Sequence, residues 1–219
     1  MYQSPPTKNN YVLGEVISAL QKEIRRGKEK EAMFWAMELI PQFEVYLWKR
    51  LIVIVNEDIG IANPTVLLLV PLNRDLFFEM RSVDNGAGNG SARLILANTI
   101  LAMCRSEKSR ISDHFQCVVN QERRHGKLIE IPDYALDKHT RRGKALKRGA
   151  EHFVTEGTKL ANASQSVTDP YETDAKKWWT SPKFIKDDEW GTRKGTGKRR
   201  SPESEVSEEN DQPNPTLFD

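Results

Sequence analysis

The sequence predicts an all-α protein: a compact multi-helix domain followed by a disordered C-terminal tail. Apolar residues recur at three- and four-residue steps between Tyr11 and Val119, which is the period of an amphipathic helix. Proline, glycine and capping residues divide these runs into lengths typical of single helices. Beyond Trp190 the only hydrophobic residues are Val206, Leu217 and Phe218, so the last segment has too few apolar side chains to fold.

The first three helices are predicted from apolar stripes and from the stop signals behind them. One helix begins at Tyr11 and ends before Gly27, a second covers Glu29–Ile40 ahead of Pro41, and a third covers Phe43–Val55. Residues 52–55 would also suit a strand, but a long run without a turn signal favours the helix. Four large side chains of these helices are expected to be buried: Trp35, Trp48, Leu51 and Ile52.

Further helices follow the same logic. The pair Asn63-Pro64 combines a cap with a first-turn proline and begins a helix that reaches about Met80, with a kink near Pro71. After a flexible loop over residues 84–90, two more helices run from Ser91 to Cys104 and from Ser109 to about Arg124. Later in the chain, residues 129–132 look extended, whereas residues 133–138 and 150–160 look helical.

Domain boundaries follow from these patterns. With 219 residues, the chain has the size of one domain with appendages. We expect a flexible lead over residues 1–10, the helical domain over 11–180, and a disordered tail, first basic and then acidic, over 181–219.

Cysteine content and hydropathy favour a cytoplasmic protein. Cys104 and Cys117 lie inside apolar helical patterns, and no signal-like apolar segment opens the sequence. The longest apolar runs, residues 51–55 and 66–72, are far shorter than the roughly 20 residues of a membrane span, so no membrane partner is expected.

Two adjacent carboxylates, Glu57 and Asp58, stand between the third and fourth helices. They could serve in acid/base or metal chemistry, but a structural loop is the simpler interpretation. In that loop Asp58 bonds free backbone amides, Gly60 adopts a left-handed conformation and Pro64 opens the next helix.

Several motifs occur in an order and at a spacing that match a known family. They are EVISAL at 15–20, EAMFWA at 31–36, KRLIV at 49–53, NEDIGIANP at 56–64, and ARL at 92–94 followed by KS at 108–109. Over about residues 11–140 the sequence resembles the region behind the ATPase module of the RarA/MgsA family of clamp-loader-like ATPases. The family's loop corresponding to Glu57 and Asp58 is not an ATPase catalytic element.

The resemblance implies an all-helical module connected with DNA replication or repair. Relatives in that family assemble as tetramers through this region, which implies homo-oligomerisation and allows a separately encoded AAA+ ATPase as a partner. The sequence itself contains no G-x-x-x-x-G-K-[ST] phosphate loop, and GTGKR at 195–199 lacks the spacing and the hydroxyl. We therefore expect no enzymatic activity and no cofactor.

One basic run lacks acidic residues and is the best nucleic-acid candidate. Its cations can release counterions from phosphates without reading sequence, which favours sequence-independent DNA binding, and Gly143 and Gly149 let the backbone approach a phosphate. A solvated charged surface is an equal alternative. The run consists of Lys138, His139, Arg141, Arg142, Lys144, Lys147 and Arg148.

The extreme C-terminus carries an isolated apolar pair. Thr216, Leu217 and Phe218 end an otherwise acidic tail and resemble the short peptide with which bacterial replication proteins bind the sliding clamp. Asn214 replaces the customary glutamine of that peptide. The alternative is a terminus without a partner.

Other chemistries are weaker. His114, Cys117 and His125 match no common zinc pattern, so no metal is expected. His139 and His152 could act as general bases, which leaves an enzyme acting on nucleotides or nucleic acid as one alternative and a structural phage or mobile-element protein as another. The favoured hypothesis is a non-catalytic binding and oligomerisation module of DNA replication or repair.

Overall fold

The computed structural model describes residues 5–83 and 90–183. Every regular element in these ranges is helical, so the all-α prediction is confirmed for the described part of the chain. The structure divides into two compact units, Met1–Leu128 (the N-terminal unit) and Ile129–Asp219 (the C-terminal unit). The predicted loop at 84–89 and most of the predicted tail, from residue 184 onward, lie outside the described residues. The boundaries predicted at residues 10 and 180 stay a prediction.

The N-terminal unit contains the helices that the apolar stripes predict, with ends shifted by a few residues. The third helix continues through a π-helical turn, Val55–Ile59, and a 3₁₀ turn, Gly60–Ala62, so the strand alternative for residues 52–55 is wrong. The helices are α1 (Leu13–Arg25), α2 (Glu29–Glu38), α3 (Glu44–Ile54), α4 (Pro64–Val83), α5 (Gly90–Arg105) and α6 (Ile111–Arg124).

The core of this unit is built around α3. Trp48 is fully buried, and its ring centroid lies 5.2 Å from that of Phe77 on α4. The predicted burial of Trp48 and Leu51 is confirmed, whereas the predictions for Trp35 and Ile52 are wrong because both are only partly buried. Ile52 follows Leu51 by one helical step and therefore lies at the edge of the inward stripe.

Two polar contacts fix details of the packing. Asn73 of α4 donates a hydrogen bond of 3.0 Å to the hydroxyl of Thr99 of α5, and both residues are buried. The predicted flexible lead is partly held in place, since Thr7 and the backbone amide of Asn9 each donate at 2.7 Å to the carboxylate of Glu38. Buried polar groups with satisfied partners favour one register of the helices over its neighbours.

The C-terminal unit has shorter elements. They are a 3₁₀ turn (Asp133–Ala135), α7 (Arg141–Ala145), α8 (Ala150–His152), a π-helical turn that continues it (Phe153–Gly157), and α9 (Glu172–Thr180). The helices predicted at 133–138 and 150–160 are therefore shorter than expected, and α7 and α9 were not predicted. Among the described residues of this unit, Leu136 is the only hydrophobic residue that is buried, so the core of the unit is thin.

Across residues 5–83 and 90–183, no helix combines the length and the apolar content needed to cross a bilayer. Cys104 is buried on α5, while Cys117 is exposed on α6, and both are free thiols.

Candidate nucleic-acid interface

The structure places Asp58 at the centre of an ion-pair cluster inside the N-terminal unit. The π-helical turn after α3 points this carboxylate inward, where it is 0% exposed. Its oxygens accept from Arg25 Nε at 2.8 Å and from Gln21 Nε2 at 3.2 Å, both on α1. The expected backbone amides are not the partners of this carboxylate, because guanidinium and amide side chains from α1 occupy it instead.

Glu57 extends the same cluster towards α6. Its Oε1 accepts from Arg25 Nη2 at 3.1 Å and from Arg110 Nη2 at 3.2 Å. Arg110, which precedes α6, also lies 3.7 Å from Asp58 through its Nε atom. Both carboxylates are thus neutralised by arginines, an arrangement that ties α1 and α6 to the turn and leaves neither group free for acid/base chemistry.

Gly60 and Pro64 complete this loop. Gly60 has φ +54°, and an added Cβ would lie 3.2 Å from Ser112 Oγ, so a larger residue would be strained in backbone and in space. Pro64 is the first residue of α4, and the side chain of Asn63 caps that helix by accepting from the amide of Val66 at 3.2 Å.

Four cations of the basic run form an exposed patch in the C-terminal unit. Arg141, Arg142 and Lys144 lie on α7, and Lys147 follows it. Thr140 caps α7 by accepting from the amide of Gly143 at 2.9 Å. No ion pair among the described residues involves these four side chains, so their charges remain available to a ligand. We call Arg141, Arg142, Lys144 and Lys147 the basic patch.

The other members of the run serve the fold of the unit. Arg148 donates to the carboxylate of Asp133 at 2.5 Å and to the carbonyls of Asp133 and Leu136 at 2.7 and 3.1 Å. That hydrogen bond holds the pKa of Asp133 below its usual range. Lys138 Nζ lies 5.0 Å from the centroid of the Phe153 ring, and His139 Nδ1 lies 3.0 Å from Asp137 Oδ2. The pKa of Asp137 is likewise lowered, chiefly by its hydrogen bond with His139.

Gly143 does not have the role that the sequence suggested. It is buried, and an added Cβ would lie only 1.8 Å from the carbonyl oxygen of Asp137. Its amide is already donated to Thr140 Oγ1. Gly143 therefore permits α7 to pack closely on the preceding segment, while Gly149 has open space around its Cα.

The two histidines considered for catalysis are not brought together in one cavity. His152 lines a cavity of about 810 Å³ together with Lys147, Glu151, Thr155 and Thr180, and His139 is absent from its described lining. The hydroxyls of Thr155 and Thr180 both donate to backbone carbonyls, so neither is poised as a nucleophile beside a base. Within the described ranges no cluster of His, Cys, Asp or Glu is arranged to hold a metal ion.

Sequence reasoning missed the exposure of two tryptophans on α9. Trp178 and Trp179 are 58% and 41% exposed. Two further aromatic residues nearby in the sequence, Phe184 and Trp190, lie outside the described residues. The signal that could have identified this surface is the neighbouring pair Lys176-Lys177, since cations beside aromatic residues are typical of nucleic-acid sites.

An apolar stripe also runs along α6. Ile111, Phe115, Val118 and Val119 follow helical spacing and are exposed, and no residue of this helix is buried. We call these four residues the α6 stripe. The tail residues Thr216, Leu217 and Phe218 lie outside the described part of the chain.

Comparisons with known proteins give one family. Residues 28–193 match the family model described as "MgsA AAA+ ATPase C terminal". The chain is 31% identical over 139 residues to "Replication-associated recombination protein A" of Bacillus subtilis (strain 168). This alignment covers 63% of the chain and 31% of that relative, so the chain spans about a third of the relative's length.

Proposed function

The chain belongs to the family of MgsA AAA+ ATPase C-terminal regions, and from this premise we propose that it is a non-catalytic module that binds DNA and self-associates during replication or repair. Replication-associated recombination is the process named for the Bacillus subtilis relative. We further propose a separate AAA+ ATPase as a partner of this region.

The observation that carries the DNA-binding proposal is the basic patch. Its four cations are exposed and have no carboxylate partner among the described residues, whereas the surface cations Arg74, Lys127 and Lys159 each form an ion pair with a carboxylate. Side chains of this kind bind the phosphates of any sequence, so the affinity is independent of sequence and sensitive to salt.

The assembly proposal rests on the α6 stripe. A helix of 14 residues with no buried side chain has little tertiary packing to stabilise it, and isolated helices of that length are marginal in water. Covering the stripe with a second copy of the chain would remove four large apolar side chains from water. We therefore assign homo-oligomerisation to α6.

The C-terminal residues Thr216, Leu217 and Phe218 are proposed to bind a bacterial sliding clamp. The two apolar side chains supply about 3–5 kcal/mol of gross burial, which supports weak peptide binding. Titrating clamp with the peptide of residues 212–219, and with a version carrying Leu217→Ala and Phe218→Ala, tests this role. Equal binding of both peptides would exclude these residues as the anchors.

DNA binding is tested by fluorescence anisotropy with a labelled 20-base-pair duplex. With four phosphate contacts, raising salt from 50 to 200 mM should weaken binding about a hundredfold, since log affinity falls by about 0.9 per contact for each tenfold rise in salt. In the variant Arg141→Ala, Arg142→Ala, Lys144→Ala one contact remains, and the same rise in salt should weaken binding only about three- to fourfold.

A matched control removes three charges elsewhere. The variant Arg74→Ala, Lys127→Ala, Lys159→Ala carries the same change in net charge, but these residues are surface cations paired with carboxylates. It should keep the affinity and the salt slope of the unmodified chain. Equal losses in the two triple variants would mean that overall charge, and not the basic patch, determines binding.

A further inference from the structure

A line of aromatic contacts crosses the C-terminal unit from the basic run to α9. The ring of His139 lies 5.1 Å from that of Phe153 in an edge-to-face arrangement, and Phe153 lies 6.3 Å from Trp179. Trp179 and its neighbour Trp178 are then exposed on the surface of α9. The aromatic residues are thus joined by direct contact to the segment that carries the basic patch.

The exposure of the two tryptophans is unfavourable unless a ligand covers them. An aromatic side chain of this size buries about 150–250 Å² when it is packed. The described part of the C-terminal unit has a thin core, yet it leaves 58% of Trp178 and 41% of Trp179 exposed to water. Such rings are well suited to take up another flat, apolar surface.

The charges around these rings select the kind of ligand. Lys138 lies over the Phe153 ring, and Arg141, Arg142, Lys144 and Lys147 extend from the same stretch of chain. The lysines of α9 are ion-paired, Lys176 with Glu172 and Lys177 with Asp174, so the unpaired positive charge comes from the basic patch. A ligand that fits both features presents phosphates and aromatic faces together. Duplex DNA offers the phosphates but keeps its base faces stacked inside the helix.

We propose that the C-terminal unit binds single-stranded DNA, with unpaired bases stacked on Trp178 and Trp179 and the backbone phosphates held by the basic patch. This inference rests on the proposed function and adds the form of DNA that is recognised. Stacking of bases on aromatic side chains tolerates any sequence because every base has a π face, which agrees with phosphate contacts that carry no sequence information.

A cavity of the C-terminal unit is bordered by the basic patch and by the C-terminal end of α9. The cavity of about 810 Å³ is lined by Lys147 of the basic patch and by Thr180, the residue after Trp179. Its volume falls in the range of about 300–1000 Å³ that is typical of small-ligand pockets. The Nδ1 atom of His152 in its lining is buried and has no hydrogen-bond partner in the described part of the chain. An unstacked nucleotide offers hydrogen-bonding groups for that atom.

The test uses three labelled 20-mers with the full chain: oligo(dT), a strand of abasic spacers with the same number of phosphates, and a duplex. Trp178→Ala with Trp179→Ala should weaken oligo(dT) binding at least tenfold, in line with measured costs of removing stacking side chains. Binding of the abasic strand and of the duplex should change less than about twofold. Replacing both tryptophans by phenylalanine should restore most of the oligo(dT) affinity, because a ring is kept.

Two controls make the outcomes distinct. Phe34→Ala removes another exposed aromatic ring, in the N-terminal unit, and should leave all three affinities unchanged. The single variant Trp178→Ala keeps the contact between Phe153 and Trp179. If its circular dichroism spectrum is unaltered, a weakened affinity for oligo(dT) in this variant cannot come from misfolding. If the basic-patch variant weakens binding while the tryptophan variants do not, the stacking inference is wrong and the proposed function stands. If the unmodified chain binds none of the three strands, both are wrong.

Discussion

Replacing Asp58 by alanine should destabilise the N-terminal unit strongly. This carboxylate is fully buried and accepts hydrogen bonds from Arg25 at 2.8 and 3.2 Å and from Gln21 at 3.2 Å. Without it, Arg25 loses two of its three hydrogen bonds in the cluster, and the side-chain amide of Gln21 loses its acceptor.

The magnitude follows from the burial of each partner. Breaking a buried ion pair by removing one member costs about 3–5 kcal/mol, because the remaining charge is left without compensation. Arg25 and Arg110 are 31% and 41% exposed, and both keep Glu57 as a partner, so water and Glu57 offset part of this cost. We therefore expect a loss of about 3 kcal/mol in the free energy of unfolding.

Urea denaturation followed by tryptophan fluorescence and circular dichroism measures this loss. With a slope of about 2 kcal/mol per molar urea, the midpoint should fall by about 1.5 M. Asp75→Ala is the matched control, since it removes a carboxylate from an exposed pair with Arg74 and should cost less than about 1 kcal/mol. A loss below 1 kcal/mol for Asp58→Ala would refute the idea that this cluster holds α1 and α6 to the turn.

Three further outcomes are expected. Burial raises the pKa of the Cys104 thiol to about 11, so this thiol stays protonated at pH 8. It should therefore react with a thiol reagent far more slowly than the exposed Cys117, and Cys117→Ser should abolish the rapid phase of labelling. Val118→Glu should lower the oligomeric state measured by light scattering. Asn120→Glu adds the same charge to α6 outside the stripe and should leave the oligomeric state unchanged. An unchanged mass for both variants would assign assembly to another surface. Calorimetry should detect no ATP binding, because the sequence has no phosphate loop, and micromolar affinity would contradict this.

Much of the N-terminal unit could be predicted from the sequence. Helical periodicity is a local property of the chain, so apolar stripes located α1 to α6 to within a few residues. Gly27 and Pro41 stop α1 and α2 for equally local reasons of backbone conformation and missing hydrogen-bond donors. The motif around Gly60 was also readable, because a positive φ angle favours glycine whatever the rest of the fold does.

The C-terminal unit was harder to predict for a physical reason. Helices α7 and α9 are short and lack an apolar stripe, so the period of 3.6 residues leaves little trace in their sequences. The burial of Trp35 and Ile52 was overestimated because hydrophobicity alone does not say on which side of the stripe a residue lies. The exposure of Trp178 and Trp179 likewise depends on which residues reach α9.

The sequence by itself determined the fold class, the family resemblance and the presence of a cation-rich run. Only the tertiary structure decided how the charges of the chain are used. Arg25 reaches Asp58 across 33 residues, and Arg148 reaches Asp133 across 15, which removes both arginines from the set available to a ligand. Whether a charged side chain is neutralised depends on atomic distances that only folding creates, because the energy of an ion pair falls with separation and rises with burial. The same run of residues therefore contains both an anchor of the fold, Arg148, and the exposed basic patch.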